Sequence, residues 1–190
     1  MTALLYIHGF NSSPESHKAL LTKNWLATAG RQLEFICPFL SPFPDKAMAQ
    51  LESLVQAHAP TGLVGSSMGG FYATWLAEKY RCRAVLVNPA VRPWLGRDYL
   101  LGEQANYHTG EVHLIEQRHL DQLQAYDVAN LSVPDSFMVL VQEGDEVLDY
   151  RMAVAKYAAC RLIVEPEGDH GFQGYERYLP AIVDFLTAAR

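Results

Sequence analysis

The stretch "LVGSSMGGF" (63–71) sets two serines between glycines in the spacing G-x-S-x-G, with Ser67 at its centre. Ser66 would need a glycine where Val64 stands, so the frame selects Ser67. A serine hydroxyl is a poor nucleophile at neutral pH. It attacks a carbonyl only when a histidine takes its proton and a carboxylate orients that histidine. Three fixed positions are weak evidence alone: with Gly and Ser each at about 7% of residues, they arise by chance in roughly one chain of this length in fifteen.

The flanks strengthen the pattern. "GLVG" (62–65) reads as a short buried strand and "MGGFYATWLAEKY" (68–80) as a helix that starts at once, which is the strand–turn–helix a nucleophile elbow needs. The glycines let the strained turn form, and the Met68 N–H stands at a helix N-terminus, where partial positive charge favours an oxyanion. A sheet carrying such an elbow places an acid and then a histidine in loops after later strands. "EGDEVLDY" follows the strand "SFMVLVQ" (136–142), and "EGDHGF" follows "RLIVEP" (161–166). Of the seven histidines, His170 alone lies after the last strand, in a Gly-flanked turn, and is expected to be the base. Asp145 is the expected acid. Asp149 is better placed to cap the helix "YRMAVAKYA", Glu143 stands at the strand end, and Asp169 adjoins His170 too closely to reach its ring. The loop after the first strand, "HGFNSSPES" (8–16), offers the Phe10 N–H as second oxyanion donor, with His8 and Gly9 shaping the turn and Asn11 bracing it.

These residues need a scaffold. Apolar runs at 3–7, 33–37, 62–65, 84–88, 136–142 and 161–166 alternate with helix-periodic segments, which predicts an α/β protein with a mostly parallel sheet of about six strands covered on both faces. "SPESHKALLTKNWLATAG" (13–30), with the helix opening near Pro14, and "PDKAMAQLESLVQAHA" (44–59) supply the first two helices. "YERYLPAIVDFLTAA" (175–189) supplies the last, interrupted near Pro180. Residues 92–133 exceed an ordinary connection. They are expected to be a cap-like insertion over the carboxyl edge of the sheet, after the fourth strand, with a short helix near "LIEQRHLDQLQ". Phe10, Asn88, Trp94, Tyr99 and Tyr107, beside Met68, are the expected substrate-binding walls.

The 190 residues carry a formal net charge of −6 and are 49% hydrophobic, enough for one domain over 1–190. No Lys/Arg cluster interleaves with aromatics, so neither nucleic acid nor an anionic membrane surface is an expected partner. "ALLYIHGF" follows Met-Thr without a basic region and has only five apolar residues before a polar break, unlike a signal peptide or membrane span. Cys37, Cys82 and Cys160 are odd in number and widely spaced, which suits buried reduced thiols in a cytoplasmic protein. There is no HExxH or CxxC pairing, so neither a metal nor a cofactor is expected, and oligomeric state is not legible.

Taken in order, "YIHGFNSSPES", "LVGSSMGGFYATWLAEKY", "LVNPAVRP", "QEGDEVLDYR" and "GDHGF" resemble the small bacterial α/β-hydrolase-fold esterases of the YqiA type, from Leu4 to the terminal helix. The resemblance implies an α/β-hydrolase fold, the roles of nucleophile, acid and base for Ser67, Asp145 and His170, and hydrolysis of short-chain acyl esters. An acyl-CoA thioesterase would use the same triad and is the alternative. Transferase, lyase or cofactor-free haloperoxidase chemistry, or a binding protein without turnover, are further uses of such a scaffold.

Overall fold

A computed structural model describes residues 3–30 and 32–188. Met1, Thr2, Arg31, Ala189 and Arg190, and the side chain of Arg97, lie outside that description, and with Ala189 the last residue of the expected terminal helix. Six strands form one parallel sheet: β1 (Ala3–Ile7), β2 (Glu34–Ile36), β3 (Gly62–Ser66), β4 (Arg83–Val87), β7 (Phe137–Gln142) and β8 (Arg161–Glu165). Their spatial order is β2-β1-β3-β4-β7-β8. Chain order reverses at β1, so the loops after β1 and β3 open side by side at the carboxyl edge, the place where open α/β sheets hold their sites.

The strands sort their side chains by the two-residue period. Leu4 and Tyr6 of β1, Val85 and Val87 of β4, and Met138 and Leu140 of β7 pack beneath α1 (His17–Thr28) and α7 (Leu179–Thr187). Leu5 and Ile7, Ala84 and Leu86, and Phe137, Val139 and Val141 face α2 (Pro44–His58), α3 (Met68–Tyr80) and α6 (Tyr150–Lys156). Central strands are therefore apolar on both faces, whereas the edge strand β2 is only partly buried and shorter than the expected 33–37.

Two boundaries differ for physical reasons. The first helix begins at His17 rather than near Pro14, because Ser13 closes a turn of its own: its carbonyl accepts the Ser16 amide and its hydroxyl accepts the Glu15 amide. At the C-terminus, Tyr175–Tyr178 form a 3-10 turn and Pro180 sits in the first turn of α7. The missing amide costs nothing there, so proline opens the helix instead of interrupting it.

Residues 92–133 carry a 3-10 turn (Pro93–Leu95), a short helix α4 (Arg97–Leu100), an antiparallel hairpin of β5 (Gly102–Ala105) and β6 (Val112–Ile115), and α5 (Gln117–Ala125). The hairpin is absent from the sequence reading. It is tied to the loop after β1: the Tyr107 amide donates to Asn11 O at 2.9 Å and the Asn106 amide group donates to Ser12 O at 3.0 Å. All three cysteines are free. Burial pushes the Cys37 thiol up to about 12 and the Cys160 thiol to about 11, so neither is a thiolate near neutrality.

Candidate active site

Ser67 sits between the last residue of β3 and the first of α3, with φ 56° and ψ −121°. A β-carbon in that region is strained, and such strain persists only where the surroundings enforce it. Here the Ser67 amide donates to Val87 O at 3.0 Å, and Ser67 O accepts the amides of Gly70 and Ala90 at 2.9 and 3.0 Å. The two flanking glycines are steric requirements. A side chain at Gly65 would run into the backbone of Gly69 and come within 2.8 Å of the Ala73 side chain; one at Gly69 would strike Ile7 O and lie 2.7 Å from His8 O. The helix can thus lie directly over the sheet, and Ser67 is lifted above its carboxyl edge.

His170 Nε2 lies 3.1 Å from Ser67 Oγ, and His170 Nδ1 lies 2.9 Å from both carboxylate oxygens of Asp145. Nδ1–H donating to Asp145 leaves Nε2 unprotonated, free to accept the serine proton. Asp145 Oδ1 also accepts the amides of Val147 and Leu148 at 2.9 and 2.8 Å. Its side chain is 2% exposed and that of His170 23%, so the carboxylate is shielded while the imidazole reaches the cleft. The other acidic groups are engaged elsewhere. Asp149 caps α6 through the Arg151 amide at 3.0 Å, Glu143 accepts the Tyr150 hydroxyl at 3.3 Å, and Asp169 accepts the Gln173 amide group at 3.0 Å.

The turn bearing His170 is held by side chains that sequence reasoning missed or read otherwise. Gln142, buried at the end of β7, accepts the amides of Asp169 and Gln173 through Oε1 and donates to Gln173 O through Nε2. Asn88, buried at the end of β4, donates to Asp169 O and His170 O at 3.0 and 3.1 Å while its Oδ1 accepts the Gln142 amide. Glu146 accepts the His170 amide at 2.9 Å. Asn88 is therefore not a cleft wall but a brace, and an apolar strand ending in a buried amide ("AVLVN", "SFMVLVQ") was the available signal.

The loop after β1 runs beside the serine: a side chain at Gly9 would begin 3.3 Å from Ser67 Cβ. Neither the Phe10 nor the Met68 amide has a hydrogen-bond acceptor among the described residues. His8 fixes the loop, since Nδ1–H donates to Gly9 O at 2.8 Å and Nε2 accepts the Leu40 amide at 3.2 Å. Burial lowers its pKa, which suits that neutral form. Asn11 adopts φ 53° and donates toward Gln104 at 3.4 Å.

A cleft of roughly 350 Å³ opens over Ser67 and His170, within the range of small-molecule sites. Phe10, Met68, Pro93, Leu100, Val147 and Leu148 form its apolar walls, and Tyr99 and Tyr107 its exposed rim. Trp94 is not among the lining residues, contrary to expectation. Its ring packs edge-on against Phe71 at 6.0 Å, spent on seating the insertion over α3. Among the described residues, no three His, Cys, Asp or Glu side chains converge as a metal site, and no helix is long and apolar enough to cross a membrane.

The sheet order, the elbow and the histidine turn are those of the α/β-hydrolase fold, and solved structures agree. Est1E from Butyrivibrio proteoclasticus, with ferulic acid bound, superposes with TM-score 0.73 at 16% identity, covering 98% of this chain and 88% of that one. Mouse alpha/beta hydrolase domain-containing protein 10 gives 0.76 at 17%, covering 97% and 88%. The esterase domain of a Rhodothermus marinus protein gives 0.69 at 15%, covering 95% and 84%. Within that fold the chain belongs to the Uncharacterised protein family (UPF0227), whose model matches residues 3–187; this is the YqiA-type family that its motifs resemble.

Proposed function

We propose that the protein is a serine hydrolase of carboxylic esters. The observation that carries this reading is the continuous chain from Ser67 Oγ through His170 to Asp145, built on a serine in a strained conformation. In the proposed reaction, His170 Nε2 takes the Ser67 proton as Oγ adds to the acyl carbon. The Phe10 and Met68 amides, which have no acceptor among the described residues, stabilise the oxyanion. Asp145 keeps Nδ1 protonated and balances the imidazolium. Collapse of the intermediate sends that proton to the leaving alcohol and leaves an acyl ester on Ser67. Water activated by the same histidine then releases the acid and restores the serine. The small volume of the cleft supports short or compact acyl groups.

The test is labelling with a fluorophosphonate, located by mass spectrometry, followed by a chain-length series of p-nitrophenyl esters and matched acyl-CoA thioesters. Labelling is expected at Ser67, and Ser67→Ala is expected to lower turnover by about 10⁴-fold or more, since removing a triad member leaves only the oxyanion hole and binding. Labelling at another residue, or turnover unchanged in Ser67→Ala, overturns the reading. Faster hydrolysis of the thioester than of its oxygen counterpart would assign the same triad to a thioesterase.

A further inference from the structure

Lys18 stands in the first turn of α1, in the wall of the cleft that holds Ser67 and His170. It is the one lysine or arginine among the described lining residues; no Asp or Glu is among them. Its Nζ donates to Gly171 O, the carbonyl just after the base, at 2.8 Å. The ammonium has two further N–H donors, and among the described residues it forms no ion pair. The nearby carboxylates are committed: Asp145 to His170 and two amides, Asp169 to Gln173. Burial brings the lysine down to about 8, with Asp169 and Asp145 opposing at longer range. The side chain is half-buried and its ammonium has no carboxylate partner among the described residues, so an anion entering the cleft would meet a positive charge that no carboxylate neutralises.

The position fixes which part of a substrate would meet it. The oxyanion donors Phe10 and Met68 take the acyl oxygen, and His170 hands its proton to the leaving alcohol, so the neighbour of Gly171 faces the alcohol half. One ammonium, with no arginine and no second lysine among the described lining residues, suits a monoanion better than a phosphate dianion. We propose that the esters taken by this site carry a carboxylate on the alcohol half, within a few bonds of the scissile oxygen, and that Lys18 recognises it. The proposal rests on the esterase reading above. Water then adds across the acyl C–O bond to release a carboxylic acid and a hydroxy acid, with no other co-reactant.

The experiment compares kcat/KM for 5-acetoxy-2-nitrobenzoate with that for its neutral isostere 5-acetoxy-2-nitrobenzamide, in wild type and variants. Wild type is expected to favour the carboxylate by about tenfold or more, the scale of one charge-assisted hydrogen bond. That ratio is expected to fall to about one in Lys18→Met and in Lys18→Gln, which keeps a donor for Gly171 O, and to persist in Lys18→Arg. Taking the ratio within each variant cancels any shift of the 169–171 turn, which would slow both esters alike. A wild-type ratio near one, or a ratio that both neutral variants retain, overturns the proposal. If Ser67 is labelled by fluorophosphonate and the two esters turn over equally, the carboxylate alone falls. If Ser67 is unlabelled and neither ester is hydrolysed, the esterase reading falls with it.

Discussion

At the residue scale, three aspartates crowd the carboxyl edge within 25 positions, and their hydrogen bonds separate them. Asp145 faces both the imidazole and two amides, whereas Asp149 spends its carboxylate on the N-terminus of α6. Asp145→Asn is therefore expected to lower kcat by about 10⁴-fold, since an amide presents its NH₂ group and favours the wrong tautomer. Asp149→Ala is expected to cost about 1 kcal/mol of stability, as loss of an N-cap does, with little change in kcat. Steady-state kinetics and urea titration of the two variants separate the roles, and the reverse ranking would move the acid to Asp149. These residues were legible because loops after strands have few places to put a carboxylate and a histidine. In sequence Asn88 reads as a cleft wall, because a polar residue at a strand end looks the same whether it faces a ligand or a neighbouring turn. Only the geometry of its donors, both on backbone carbonyls 169 and 170, decides between them.

At the element scale, the elbow works because α3 crosses β1 with no room for a side chain. Gly69→Ala would ordinarily gain up to about 1 kcal/mol in a helix. Here the new methyl group strikes Ile7 O, so the helix must lift from the sheet. We expect a net loss of about 3 kcal/mol in denaturant unfolding together with a large fall in kcat; a variant as stable as wild type would show that the crossing is softer than its contacts indicate. The central elements were legible for the same reason that they are rigid: β1, β3, β4 and β7 are buried on both faces and read as unbroken apolar runs. The β5–β6 hairpin was not. "GEQA" and "VHLI" are four residues each, and although their burial alternates, the residue types do not follow it: Val112 and Leu114 face solvent while His113 between them is partly buried, so no apolar period marks them.

At the scale of the whole molecule, the sheet supplies rigidity while residues 92–133 supply the rim and one side of the cleft. The two are joined through the loop after β1, by Asn106 and Tyr107 on one side and Asn11 and Ser12 on the other. Asn106 also closes its own turn, since Oδ1 accepts the amides of His108 and Thr109 at 2.9 and 3.0 Å. Asn106→Ala is expected to lower kcat/KM by about tenfold through misplacement of the Phe10 amide, because small errors in an oxyanion donor weaken it steeply. Kinetics with an unaltered Ser67 labelling site would check it; a change in KM alone would mean that the rim moves without the loop.

That joint has a consequence for how a chain of this fold can vary. Residues 92–133 cannot be exchanged as a free-standing cassette, because the hairpin that forms the rim also holds the loop after β1. Asn11 and Ser12 enter that joint through backbone carbonyls, which any residue would supply, so Asn106 is the side chain that a redesigned rim has to keep.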